Sequence, residues 1–272
     1  MTSNNTLERA MMHHGPRLPA RGNLAMRALA VLATLSGLCG CATATKEEAL
    51  AFGSFEVLQG QPSHRGVVLA APHGTADCNT GVIVKNLALD LGIPAVIASR
   101  FSRKETGDRR INVNRPTEGA GLYFSQETWT SRAAHVWEEY RRLVLESGGQ
   151  RFALYIEIHC NIHPATGGMI EVATNGVSHD QAVLLKRLYY QARDKIISEG
   201  TPMVDLKMEP VDKVYMSAYG AKNHGAMGLA PVAIHVEIPG PITNLAAREN
   251  APYRRVFANF LRDLVANLHP GR

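Results

Sequence analysis

The feature that most limits what this chain can fold into is a series of short apolar, β-branched runs separated by amphipathic helical stretches. "GVVLAAP" (66–72), closed by Pro72 and Gly74, "PAVIAS" (94–99), "ALYIEI" (153–158), "GGMIEVAT" (167–174) and "PVAIHVEIP" (231–239) read as strands, most of them buried on both faces. Between them, 79–92 reads as a helix stopped by Gly92. Residues 125–147 carry Trp129, Ala133, Val136, Tyr140 and Leu143 at helical spacing, ended by Gly148 and Gly149. A third helix spans 178–200, with Leu185, Leu188, Ala192 and Ile196 on one face. A fourth, entered through Pro252, carries Tyr253, Val256, Phe257, Phe260, Leu264 and Leu268. Strands without a polar face need cover on both sides, so the expected fold is a single three-layer α/β/α domain around a largely parallel or mixed sheet. A chain of 272 residues is long enough for one sizeable domain of this kind.

The beginning of the chain does not fit that pattern. Arg9, Arg17, Arg21 and Arg27 precede "ALAVLATLSGL" (28–38), a run too short to span a bilayer, which ends in Cys39-Gly40-Cys41. This is the form of an export signal over 1–40, and Leu38-x-Gly40-Cys41 resembles the bacterial lipobox, in which the cysteine is lipidated. An ordinary cleaved signal and an uncleaved anchor are the alternatives. The expectation is a periplasmic lipoprotein of the bacterial cell envelope, held to the membrane through Cys41, with 41–54 as a tether and 55–272 as the folded domain. Four arginines and one glutamate in 1–40 account for three of the five formal positive charges. The remainder is nearly neutral, which removes the main support for nucleic-acid binding. Cys78 and Cys160 are then the two remaining cysteines, an even number in an oxidising compartment.

In sheets of this type ligands sit beyond the carboxyl ends of the strands, and there the chain concentrates its polar chemistry. His73 and Asp77 follow the first run closely enough to act from one loop. His159 ends the 153–158 strand, and His235 and Glu237 lie within the last one. Two histidines and a carboxylate are a donor set that zinc accepts, with a fourth position open. Side chains alternate along a strand, so Glu157 shares a face with His159 and is placed to support it as a charge partner. Glu237, in a strongly apolar strand, must be paired, bound to metal or poised for proton transfer. His235 shares its face. After "PAVIAS" comes a loop rich in cations. Lys104, Arg109 and Arg110 read as solvated surface, whereas Asn114-Arg115, stiffened by Pro116, reads as a grip for a substrate carboxylate or carbonyl.

Taken together and in order, "PHGTAD", "CNTG", "RRINVNRP", "YIEIHCN" and "AIHVEIPG" resemble the N-formylglutamate amidohydrolase family and its zinc-carboxypeptidase-like relatives, over about residues 66–242. The resemblance implies a zinc-carboxypeptidase/phosphorylase-hydrolase-like fold and one zinc ion on His73, Asp77 and His159. It also implies Asn114 and Arg115 as substrate contacts, Glu237 as general base, and Tyr219 and His224, from "YMSAYGAKNHG" (215–225), as pocket residues. The chain departs from the family pattern in having Asn112 and Glu157 where aspartates are usual, and in its export signal.

The expected activity is zinc-dependent hydrolysis of an amide or peptide bond in a small, carboxylate-bearing substrate. The alternative from a different class is a non-catalytic envelope lipoprotein that captures a small acidic ligand. A nucleophilic Cys160 working with His163 or His159 is a third chemistry. If Asp77 and His159 meet at one zinc, the residues after them should lie close as well, which makes a Cys78–Cys160 disulfide an expectation.

Overall fold

The protein is described from a computed structural model, covering residues 44–107, 109–119, 124–166, 168–197, 204–240 and 251–269. The expected export signal and Cys41 lie outside the described residues. The chain enters through helix α1 (Lys46–Leu50) and strand β1 (Ser54–Leu58). Then come β2 (Val67–Ala71), α2 (Thr80–Leu91), β3 (Ala95–Ser99) and the one-turn helix α3 (Arg103–Thr106). A meander of β4 (Arg110–Asn112), β5 (Thr117–Gly119) and β6 (Glu127–Trp129) leads to α4 (Ser131–Gly148). The remainder alternates β7 (Leu154–Asn161), β8 (Ile170–Asn175), α5 (His179–Ile196), β9 (Leu206–Met208), α6 (Tyr219–His224), β10 (Val232–Pro239) and α7 (Ala251–Leu268).

Seven strands form one mixed sheet in the order β1-β3-β2-β7-β10-β8-β9. Its centre, β3-β2-β7-β10, is parallel, while β1 and β8 run antiparallel to their inner neighbours. Period-two alternation divides the residues between two cores. Leu69, Ile156, Ile158, Ile234 and Val236 face α2, α5 and α7, whereas Val68, Val96, Tyr155 and Ala233 face α1 and α4. This is the three-layer arrangement expected.

Two local expectations are corrected. The segment 41–54 does not act only as a tether. Thr45 closes a capping box with Glu48 at the start of α1, Ala49 is fully buried, and β1 continues the sheet from Ser54. Nor does a helix begin at 125. Residues 127–129 pair with Thr117–Gly119, and α4 starts only after Thr130, whose hydroxyl accepts from the Ala133 amide. Trp129 happens to fall in helical register with the apolar stripe of α4, but its side chain is exposed.

Chain order reverses between β2 and β7: β3 lies on one side of β2, and β7, reached much later, lies on the other. A crevice opens outside the strand ends at such a switch point. His73 follows β2, and His159 lies near the end of β7.

Candidate metal centre

On the α4 face of the sheet, alternation that places apolar residues deeper in the fold turns polar toward the strand ends. Tyr155, Glu157 and His159 lie in a row on β7, with His235 directly opposite Glu157 and Glu237 opposite His159 on β10. All are buried. Gly74 makes the other half possible. A side chain there would stand 2.8 Å from the Ala98 carbonyl and 3.1 Å from Gly81 Cα, so only glycine lets the 73–81 loop lie this close to β3. The loop turns on bonds from the Ala76 and Asp77 amides to the His73 carbonyl, which brings Asp77 back over His73.

The result is a convergence of three donors. His73 Nδ1 lies 3.1 Å from Asp77 Oδ2, and His159 Nδ1 lies 2.9 Å from the same oxygen. The three donor atoms fall within 4.8 Å of one another. A four-coordinate zinc with bonds near 2.0–2.1 Å holds its ligand atoms about 3.3 Å apart, so the set fits that ion. His73 Nε2 is buried and has no hydrogen-bond partner among the described residues. His159 Nε2 lies 3.5 Å from Glu157 Oε1. That is an electrostatic contact rather than a hydrogen bond, and it has the carboxylate–histidine form that orients metal-binding imidazoles.

A second group, Glu157, His159 and His235, is also compact enough for a metal, but Glu157 is already occupied. It accepts from both sides: Asn114 Nδ2 at 3.1 and 3.2 Å, Tyr155 Oη at 2.9 Å, and His235 Nδ1 at 2.6 Å. Tyr140 and Tyr155 share a 2.7 Å bond behind it. His235 bridges two carboxylates, with Nε2 3.0 Å from Glu237 Oε1, and Asn161 Nδ2 donates to the other Glu237 oxygen at 3.3 Å.

Electrostatics separate the two histidines. Burial pushes His73 down to about 4 against the pull of Asp77. Burial also disfavours the charged form of His159, but the hydrogen bond to Asp77 and the Glu157 carboxylate outweigh it and raise the group to about 10. Asp77 and Glu157 are held below the usual carboxylate range because the surrounding histidines outweigh their desolvation. His235 is raised: burial and His159 oppose its charge, and Glu157 and Glu237 prevail.

Asn114 and Arg115, expected as substrate contacts, are both engaged within the protein. Asn114 is fully buried, donating to Glu157 and accepting from Arg115 Nη1 at 2.8 Å. Arg115 borders the cavity, but its guanidinium is forked onto the buried Glu127, with Nε to Oε2 at 2.8 Å and Nη2 to Oε1. Its charge is therefore matched internally, by a residue the sequence hid inside an expected helix. Arg110, expected as solvated surface, borders the same cavity. Its Nε donates to Asn112 at 3.1 Å and its Nη1 lies 3.9 Å from Asp77 Oδ1. Tyr219 lines the cavity as expected, whereas His224 stacks behind Phe124, at 5.3 Å, and does not. Cys78 and Cys160 form a disulfide, with Cα atoms 5.9 Å apart. A bonded sulfur cannot be a nucleophile, which removes the Cys160 mechanism. Asn161 is an addition that alternation along β7 could have suggested but residue type alone did not.

The cavity holding these groups has a volume of about 750 Å3 and reaches from His73 and Arg110 to His235, Glu237 and Tyr215. No family model and no curated protein matches the sequence. Similar solved structures include YndL in a zinc-free form, at 13% identity over 76% of this chain and 89% of that one, with a TM-score of 0.44. A bacteriophage poly-γ-glutamate hydrolase is similar at 12% identity over 79% and 90%, with a TM-score of 0.45. Murine aminoacylase 3 is similar at 16% identity over 75% and 66%, with a TM-score of 0.40.

Proposed function

We propose that this protein is a zinc-dependent hydrolase of an amide bond in a carboxylate-bearing substrate, of the N-formylglutamate amidohydrolase type, working as a lipoprotein in the bacterial cell envelope. The observation that carries the reading is the convergence of His73, Asp77 and His159, with Glu237 directly opposite His159 in the same cavity. Zinc, when bound by those three residues, supplies a Lewis acid that polarises the scissile carbonyl and brings the pKa of water toward neutrality.

The chain's own residues do the rest. Glu237 takes a proton from the attacking water and delivers it to the departing nitrogen. His235 and Asn161 fix its two oxygens, so that the carboxylate is aimed before substrate arrives. Arg110 anchors the substrate carboxylate, since its guanidinium faces the cavity while that of Arg115 is forked onto Glu127. A cavity of about 750 Å3 has room for more than one formylated amino acid. The export signal expected from the sequence favours peptides, γ-glutamyl compounds or cell-wall fragments as the substrate pool. Glu237→Gln tests the reading: zinc binding is retained and turnover of a responsive amide falls ~100-fold or more. Unchanged turnover would remove the assignment.

A further inference from the structure

Three of the large hydrophobic residues most exposed among the described ones, Ile162, Tyr215 and Tyr219, line this one cavity, with Ile162 83% exposed and Tyr219 57% exposed. Their clustering at the mouth of a site is unlike the scatter of single apolar residues over an ordinary surface.

The wall that carries the two tyrosines is held from behind. Glu171, on β8 directly across from Glu237, is fully buried, and it accepts hydrogen bonds from the backbone of the wall. The Tyr215 amide reaches its two oxygens at 3.0 and 3.2 Å, and the Met216 amide donates at 2.9 Å. Burying a carboxylate is costly, and this one is satisfied by fixing the backbone at Tyr215 and Met216. Ala218 has a φ of 54°, a left-handed conformation that a non-glycine residue holds at a cost, and it directs Tyr219 into α6. Tyr215 stacks on His163 at 4.7 Å, and Tyr219 meets Phe124 edge-on at 5.3 Å. The rings are thus braced by neighbours while a large part of each stays open to solvent.

We propose that the 215–219 wall is a built subsite for a bulky apolar side chain beside the scissile amide, and that Glu171 is its positioning residue. The inference rests on the hydrolase reading and narrows it: the substrates are peptides or N-acyl amino acids that carry an aromatic or large aliphatic group, held by ring contact at the mouth while Arg110 takes the carboxylate. Open aromatic faces reward such a group through both area and ring geometry.

The test compares zinc-loaded protein on N-acetylphenylalanine and N-acetylalanine. For Tyr219→Ala and for Glu171→Gln, KM for the phenylalanine substrate should rise about tenfold, with kcat and both constants for the alanine substrate changing less than twofold; Tyr219→Phe should behave as the parent. Equal losses on the two substrates, or a Tyr219→Phe variant as impaired as Tyr219→Ala, would overturn the subsite. Tyr219 is exposed, so its replacement does not threaten folding if Glu171→Gln does. Should the protein hydrolyse neither compound, calorimetric titration decides the subsite independently of turnover, and the hydrolase reading stands or falls on Glu237→Gln. About tenfold tighter binding of N-acetylphenylalanine, lost in Tyr219→Ala, sustains it, and equal affinities for the two compounds refute it.

Discussion

Replacing Cys78 and Cys160 together by alanine probes how the metal centre is assembled, because each cysteine directly follows a proposed ligand. The bond closes a loop with a sequence separation of 82. The chain-entropy relation for a loop of that length gives about 15 cal/mol/K, or about 4.5 kcal/mol at 25 °C, as the ceiling on its stabilisation. Residual structure in the unfolded chain reduces this, so a loss of about 2–4 kcal/mol is expected in urea unfolding of metal-free protein. Alanine is the better replacement than serine, since Cys160 is buried and a hydroxyl there would need a partner. A second effect should accompany the first. Cys78 and Asn79 both sit in the left-handed region, with φ of 51° and 60°, immediately after Asp77. Without the bond to β7 nothing covalent holds that turn, and Asp77 should leave His159 for part of the time. Zinc affinity, measured by competition with a chromophoric chelator, should fall about tenfold or more. A variant that loses less than about 1 kcal/mol would refute the entropic argument, and one that keeps the parent's zinc affinity would refute the claim that the bond organises the ligands.

Two other perturbations discriminate between roles. Arg110→Ala should raise KM for a carboxylate-bearing substrate about tenfold with little loss of stability. Arg115→Ala should instead destabilise the fold by about 2–4 kcal/mol in urea, because it strands the buried Glu127. Reversal of the two outcomes would restore Arg115 as the substrate contact. The acid limb of stability should depend on carboxylates paired with arginine. Arg142 and Lys46 outweigh desolvation and lower Glu139 to about 2; Glu118 is desolvated, yet its fork with Arg132 lowers it as well. Groups with depressed folded pKa values stabilise above their unfolded values and lose that contribution as pH falls. Unfolding free energy should therefore decline from about pH 4.5 downward, and Glu118→Gln should flatten the decline; an identical acid limb in that variant would count against the pairing.

Much of the site was legible in the sequence because strand alternation is a strong constraint. Once "ALYIEIHCN" and "AIHVEIP" are read as strands, Glu157 must share a face with His159, and His235 with Glu237, and the structure puts them there. The cysteine pairing followed from the expectation that Asp77 and His159, which the two cysteines directly follow, meet at one zinc. What escaped depended on tertiary partners that leave no periodic trace. Arg110 and Arg115 are five residues apart in one basic stretch, and only the position of Glu127 decides which of them keeps its charge for the cavity. Glu127 was itself concealed, since Trp129 extends the stripe of α4 by chance of spacing. Glu171 drew no reading from the sequence, because its partners are backbone amides more than forty positions away.

The central claim is that His73, Asp77 and His159 bind one metal ion together. Titrating metal-stripped protein with zinc tests it most directly. The parent and Glu237→Gln should each take up one equivalent per chain at high affinity, and His73→Ala and His159→Ala should lose that affinity while remaining folded. A folded parent that takes up no zinc, or a His159→Ala variant that binds it as tightly as the parent, would contradict the account.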